Sequence, residues 1–124
     1  MQLSNLFIAI MATATAVSAT CHKSGETWNN KADARSAITK ACTGSGKFAG
    51  SFGIQEIRRF CVNSGGKQKM NFEVQNKGST ARNWDDAECI HRLSREVDGC
   101  KDNKGGYNTV DNWYYQADPN AGQC

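Results

Sequence analysis

Apolar residues follow two distinct periods along this chain. Between Lys31 and Cys42 the apolar set is Ala34, Ala37, Ile38, Ala41 and Cys42, spaced i, i+3, i+4, i+7 and i+8. That spacing predicts a helix with one buried stripe, started by Asn29 or Asn30 as cap and ended near Gly44. A second helical stripe holds Cys89, Leu93, Val97 and Cys100, with Ile90 beside it. Asp85 with Glu88 three residues on forms a capping-box arrangement at its start, and Gly99 stops it. Between the helices the period drops to two. In residues 69–75 Met70, Phe72 and Val74 point one way, and Asn71, Glu73 and Gln75 the other, the mark of a half-buried strand. Residues 55–62 form a second run, joined to the first by a hairpin loop over 63–68. Residues 111–117 form a third, and a short strand is expected within 22–28. Glycine-rich connections fill 43–53 and 101–108. The order (β)-α-β-β-α-β predicts an α+β fold: a small antiparallel sheet of three to four strands packed with two helices, an α/β sandwich.

The amino-terminal pattern sets the compartment. Leu6 to Ala19 carries no charge, yet it is shorter than the roughly 20 residues that span a bilayer. Val17-Ser18-Ala19 has the small-residue form of a secretory cleavage site. Residues 1–19 are therefore expected to be a cleaved signal peptide, and 20–124 a single secreted, extracellular domain. All six cysteines fall within it: Cys21, Cys42, Cys61, Cys89, Cys100 and Cys124. An even count in a small exported chain predicts three disulfides, with the pairing left open. Zinc is disfavoured because no two cysteines stand in a C-x-x-C arrangement. No metal or other cofactor is expected. The net charge of +3 is spread among acidic residues rather than gathered into the basic stripe that nucleic acid wants. No second apolar stretch supports membrane insertion, and no Asn-x-Ser/Thr sequon is present.

The cysteines sit in a wider pattern. Cys21 is followed by Ser24-Gly25 and Trp28, Cys42 lies in the first helix, and Cys61 in a hairpin strand. Cys89 and Cys100 bracket the second helix ahead of Gly105-Gly106. The chain closes on Trp113-x-Tyr115-x-x-Asp118-Pro119-Asn120-x-Gly122-x-Cys124. Over essentially all of residues 20–124 this resembles the small secreted fungal glycan-binding proteins of the ink-cap mushroom (Coprinus) type. The resemblance implies an α/β sandwich with three disulfides and lectin-like binding of cell-surface glycans or glycoproteins without catalysis, and it allows a homodimer. A defence lectin or a host-directed effector would both fit. The shared positions are mostly scaffold, so no individual sugar contact is carried over. The alternative is a killer-toxin-like protein or effector acting on a protein target such as an ion channel. A secreted ribonuclease is the third reading.

A sugar site sets an aromatic face against the C–H face of the sugar and rings it with planar hydrogen-bonding groups. Tyr and Trp supply large rigid area together with a polar handle. The candidates are Trp28, Trp84, Tyr107, Trp113, Tyr114 and Tyr115. In a strand over 111–117, Trp113 and Tyr115 share a face with Asp111, while Tyr114 shares the other with Asn112 and Gln116. Trp113 and Tyr115 are expected to face the core, and Trp84 to pack there or to staple onto the second helix. The expected glycan-binding set is Tyr114, Asn112, Tyr107, Asn108 and Arg58. Arg59, next to Arg58, must face the other way. Asp118-Pro119-Asn120 reads as a turn. For catalysis, His22, His91, Glu26 and Glu56 are available to a ribonuclease, and Glu26 with Asp33 or Glu56 to a glycosidase. No recognised catalytic spacing joins them, so no catalytic residue is assigned.

Overall fold

The computed structural model describes residues 20–124; the expected signal peptide lies outside them. Nine elements follow in order: β1 (Thr20–Cys21), α1 (Lys31–Cys42), β2 (Ser51–Phe52), β3 (Ile57–Ser64), β4 (Gln68–Asn76), β5 (Arg82–Asn83), α2 (Asp86–Asp98), β6 (Gly106–Val110) and β7 (Trp113–Ala121). The α+β class holds, with two helices, an antiparallel sheet and three disulfides. The sheet is larger than three or four strands. Five strands lie in the order β1-β6-β7-β4-β3, and β2 and β5 form a separate two-stranded ladder.

Both helices start where their caps predict. The Asn30 side chain accepts hydrogen bonds from the Ala32 and Asp33 N–H groups, and Asp85 accepts from Glu88. Their buried stripes cover one face of the sheet. Against them stand Met70, Phe72 and Val74 of β4 and Trp113, Tyr115 and Ala117 of β7. Trp84 is buried as expected, stacked on Trp113 at 5.3 Å between ring centroids and 5.5 Å from Tyr115. Phe52 meets Trp113 edge-on at 5.2 Å.

Several boundaries differ from the sequence reading, each for a local reason. The β3–β4 ladder runs from Ile57↔Gln75 to Ser64↔Gln68, so the hairpin loop is only Gly65-Gly66-Lys67. Gln55 adopts a left-handed φ of 62° and lies outside the strand. Residues 22–28 form no strand; the pairing stops at Thr20–Cys21. The glycine-rich connection after Cys100 ends in β6, whose partner register sets Gly106 against Ala117 and Val110 against Trp113. Asp111 and Asn112 therefore form a two-residue hairpin turn, both left-handed with φ of 53° and 63°, as a type I′ turn requires. Asp118-Pro119-Asn120 is not a turn but the continuation of β7, paired with Asn71, Met70 and Lys69. Proline is tolerated because β6 ends at the Gly106↔Ala117 pair, so Pro119 has no β6 partner that would need its N–H.

The disulfides tie separate layers. Cys42–Cys89 joins the two helices, Cys21–Cys100 joins β1 to the end of α2, and Cys61–Cys124 clips the chain end to β3. A further clamp lies at the β6–β7 turn. The fully buried Asn76 donates to the carbonyls of Gly53 and Thr80, while its own Oδ1 accepts from Gly78 and Arg82. Arg82 also donates to the carbonyls of Asp111 and Asn112 and lies 4.5 Å over the Trp113 ring.

Candidate functional site

Among the described residues, no helix covers the second face of the five-stranded sheet. Strand alternation and the ladder register place Tyr107 and Thr109 of β6 there. Beside them lie Tyr114, Gln116, Asp118 and Asn120 of β7 and Lys69, Asn71, Glu73 and Gln75 of β4. Ile57, Arg59, Cys61 and Asn63 of β3 complete the face. One cross-strand row reads Tyr107–Gln116–Glu73–Arg59, and the next reads Thr109–Tyr114–Gln75–Ile57. The inner positions of the same strands are filled by the aromatic and aliphatic core. One face thus supplies stability, and the other is free to carry chemistry.

Polar side chains on this face fix one another. Arg59 Nε donates to Glu73 Oε1 at 3.1 Å. Asn120 Nδ2 donates to Asn71 Oδ1 at 2.8 Å and Asp118 Oδ2 at 3.1 Å. Gln75 Nε2 donates to the Gln55 carbonyl at 3.2 Å. The two tyrosine rings lie side by side, 6.4 Å between centroids and tilted by 38°. Tyr107 is 39% exposed, while Tyr114 is half-buried. Partial burial, followed by the charges of Glu73 and Asp118, pushes the Tyr114 phenol above its usual range, so it stays a hydrogen-bond donor. His22 closes one side, with its ring 5.5 Å from Tyr107 and Nε2 3.7 Å from Asp118 Oδ1. That nitrogen is buried without a hydrogen-bond partner among the described residues.

The sequence-predicted set divides. Tyr107 and Tyr114 are brought together on the open face. Asn112 is exposed in the hairpin turn, so it does not share a strand face with Tyr114 as the period suggested. Asn108 stands opposite Tyr115 in the ladder and so belongs to the other face. Arg58 also points to the inner face, where its guanidinium stacks 4.0 Å over Phe52. It donates to Glu56 and to the carbonyls of Lys47, Ala49 and Ser51. Those bonds make Arg58 a brace for the loop after α1. Glu73, Gln116, Asn71 and Asn120 were not singled out from the sequence. Their signal was the polar half of the alternation in β4, together with recognition that β7 runs past Pro119.

The five residues available for catalysis are spread over different elements, with Asp33 exposed on α1. His22 borders the open face, His91 is exposed on α2, and Glu26 is exposed in the connection before α1. Glu56 is occupied by Arg58 and the Gly53 N–H. No group of three or more His, Cys, Asp or Glu side chains among the described residues is placed to hold a metal ion. None of their helices is long and apolar enough to cross a membrane.

No family model, curated protein or solved structure matches the chain.

Proposed function

We propose that this protein is a secreted glycan-binding protein of lectin type, acting without catalysis on glycans or glycoproteins at a cell surface. The ligand lies on the open sheet face. The observation that carries this reading is the Tyr107–Tyr114 ring pair, 6.4 Å between centroids, set among amides and carboxylates that hydrogen bonds already hold in place. Rings offer the apolar surface that a sugar's C–H face covers. Planar amides and carboxylates read its hydroxyls, and little side-chain entropy remains to be lost on binding. Three disulfides in a small domain accord with an extracellular setting.

A glycan array probed with the folded domain tests this, with Tyr107→Ala and Tyr114→Ala as partners. Each variant is expected to weaken binding about tenfold, or about 1.4 kcal/mol, with unchanged circular dichroism. Failure to retain any glycan at high protein concentration would sink the proposal. A second reading, a toxin or effector with a protein target, draws on Ile54 and Ile57, which are 61% and 41% exposed. It is favoured if Ile54→Asp abolishes biological activity while no glycan binds.

A further inference from the structure

Beside the edge strand β3 lies a hollow that the tyrosine pair does not reach. Its volume is about 540 Å³, with Ser45, Gly46 and Lys47 from the turn after α1 on one side. Glu56, Arg58 and Arg59 line the other. Three cations thus face one carboxylate. Glu56 is already taken. The Arg58 guanidinium, the Gly53 N–H and the nearby Lys47 hold its carboxyl below the usual range, and Arg58 is spent on Glu56 and three backbone carbonyls. The two outer cations are different. The Lys47 ammonium makes no hydrogen bond or ion pair with the described residues. Arg59 engages Glu73 only through Nε, which leaves both terminal nitrogens of its fork open. A guanidinium fork and an ammonium across a polar hollow match an oxyanion.

Arg59 also ends the Tyr107–Gln116–Glu73–Arg59 row. Three strand spacings, about 14 Å in all, separate its backbone from that of Tyr107. The rings and the hollow are therefore two ends of one surface. We propose that the ligand is an acidic oligosaccharide. It stacks on Tyr107 and Tyr114 and places a carboxylate or sulfate group between Lys47 and Arg59. This inference rests on the glycan-binding reading of the open face. The net charge of +3 would speed encounter with such a polyanion.

Calorimetric titration of the folded domain with a uronate-bearing oligosaccharide, and with its neutral counterpart of equal length, tests the proposal. The acidic ligand is expected to bind at least tenfold tighter at low salt. Lys47→Gln and Arg59→Gln should each remove most of that advantage, as should 0.5 M salt, whereas Tyr107→Ala should weaken both ligands alike. Equal affinity for the two ligands, or a preference that survives Lys47→Gln, overturns the proposal while leaving the glycan reading intact. If neither oligosaccharide binds, the glycan reading fails instead. Inorganic sulfate then probes the hollow alone, by the amide shifts of Ser45, Lys47 and Arg59 in a nuclear magnetic resonance titration. Movement of those signals supports an oxyanion site, and their stillness contradicts it.

Discussion

Glu96 shows how one residue sets the pH response of the fold. It lies on α2 at 1% exposure, and its Oε1 has no hydrogen-bond partner among the described residues. The backbone of Gly106 passes so close that a Cβ there would stand 2.5 Å from the Thr20 carbonyl and 2.8 Å from Glu96 Oε1. Only glycine fits between β1 and this carboxyl. Burial raises the carboxyl from 4.5 to about 7, with Arg95 pulling weakly the other way. The folded state therefore holds a proton that the unfolded chain releases. Stability from this group is full below about pH 4.5 and is lost as pH rises through about 7, by on the order of 3 kcal/mol. Glu96→Gln is expected to flatten that slope and to be more stable than the parent at pH 8 but not at pH 4. Urea midpoints at the two pH values check it. Parallel pH profiles for parent and variant would refute the assignment.

At the scale of elements, the β6–β7 hairpin was hardest to read. Both helices were legible because cap, stripe and stop agreed, and β4 was legible because its alternation is strict. β6 was hidden by its start in Gly105-Gly106 and by a turn of Asp111-Asn112, which lacks the usual glycine. Reading the strand back through that turn placed Asn112 on the face of Tyr114. The same error hid the length of β7, since Asp-Pro-Asn looks like a turn when no ladder partner is known. Asn tolerates the left-handed backbone at φ 63°, whereas a β-branched residue does not. Asn112→Val should cost about 1–2 kcal/mol of unfolding free energy, and Asn112→Gly should be close to neutral. Glycan binding should survive Asn112→Gly. Loss of binding with the fold intact would return Asn112 to the site. Arg82 belongs to the same element-level device. Arg82→Ala takes a partner from Asn76 and two from the turn carbonyls, with an expected loss of about 1–3 kcal/mol in thermal or denaturant unfolding.

The whole molecule divides its labour between two faces of one sheet. The inner face spends nearly all the large apolar residues on the core, while three disulfides link the helices to each other, β1 to the end of α2, and the chain end to β3. Cysteine count alone predicted the three links. Their pairing needed the three-dimensional arrangement, because Cys21 meets Cys100 and Cys61 meets Cys124 across 79 and 63 residues. The Cys42→Ala, Cys89→Ala double variant frees the two helices from each other and should lose roughly 2–4 kcal/mol. A thermal midpoint unchanged from the parent would show that helix packing needs no link. Most of the candidate site was legible only in part. Tyr107 and Tyr114 were visible as aromatics, but their adjacency depends on β6 pairing with β7.

A ligand on the open face must therefore touch both rings of this pair. Amide and side-chain shift mapping by nuclear magnetic resonance, with the tightest ligand from the array, locates the site directly. The largest shifts are expected at Tyr107, Thr109, Tyr114, Gln116 and Glu73, with the α1 and α2 signals still. Largest shifts on the helices, or along the groove that Ala37, Phe60 and Val62 line, would contradict it.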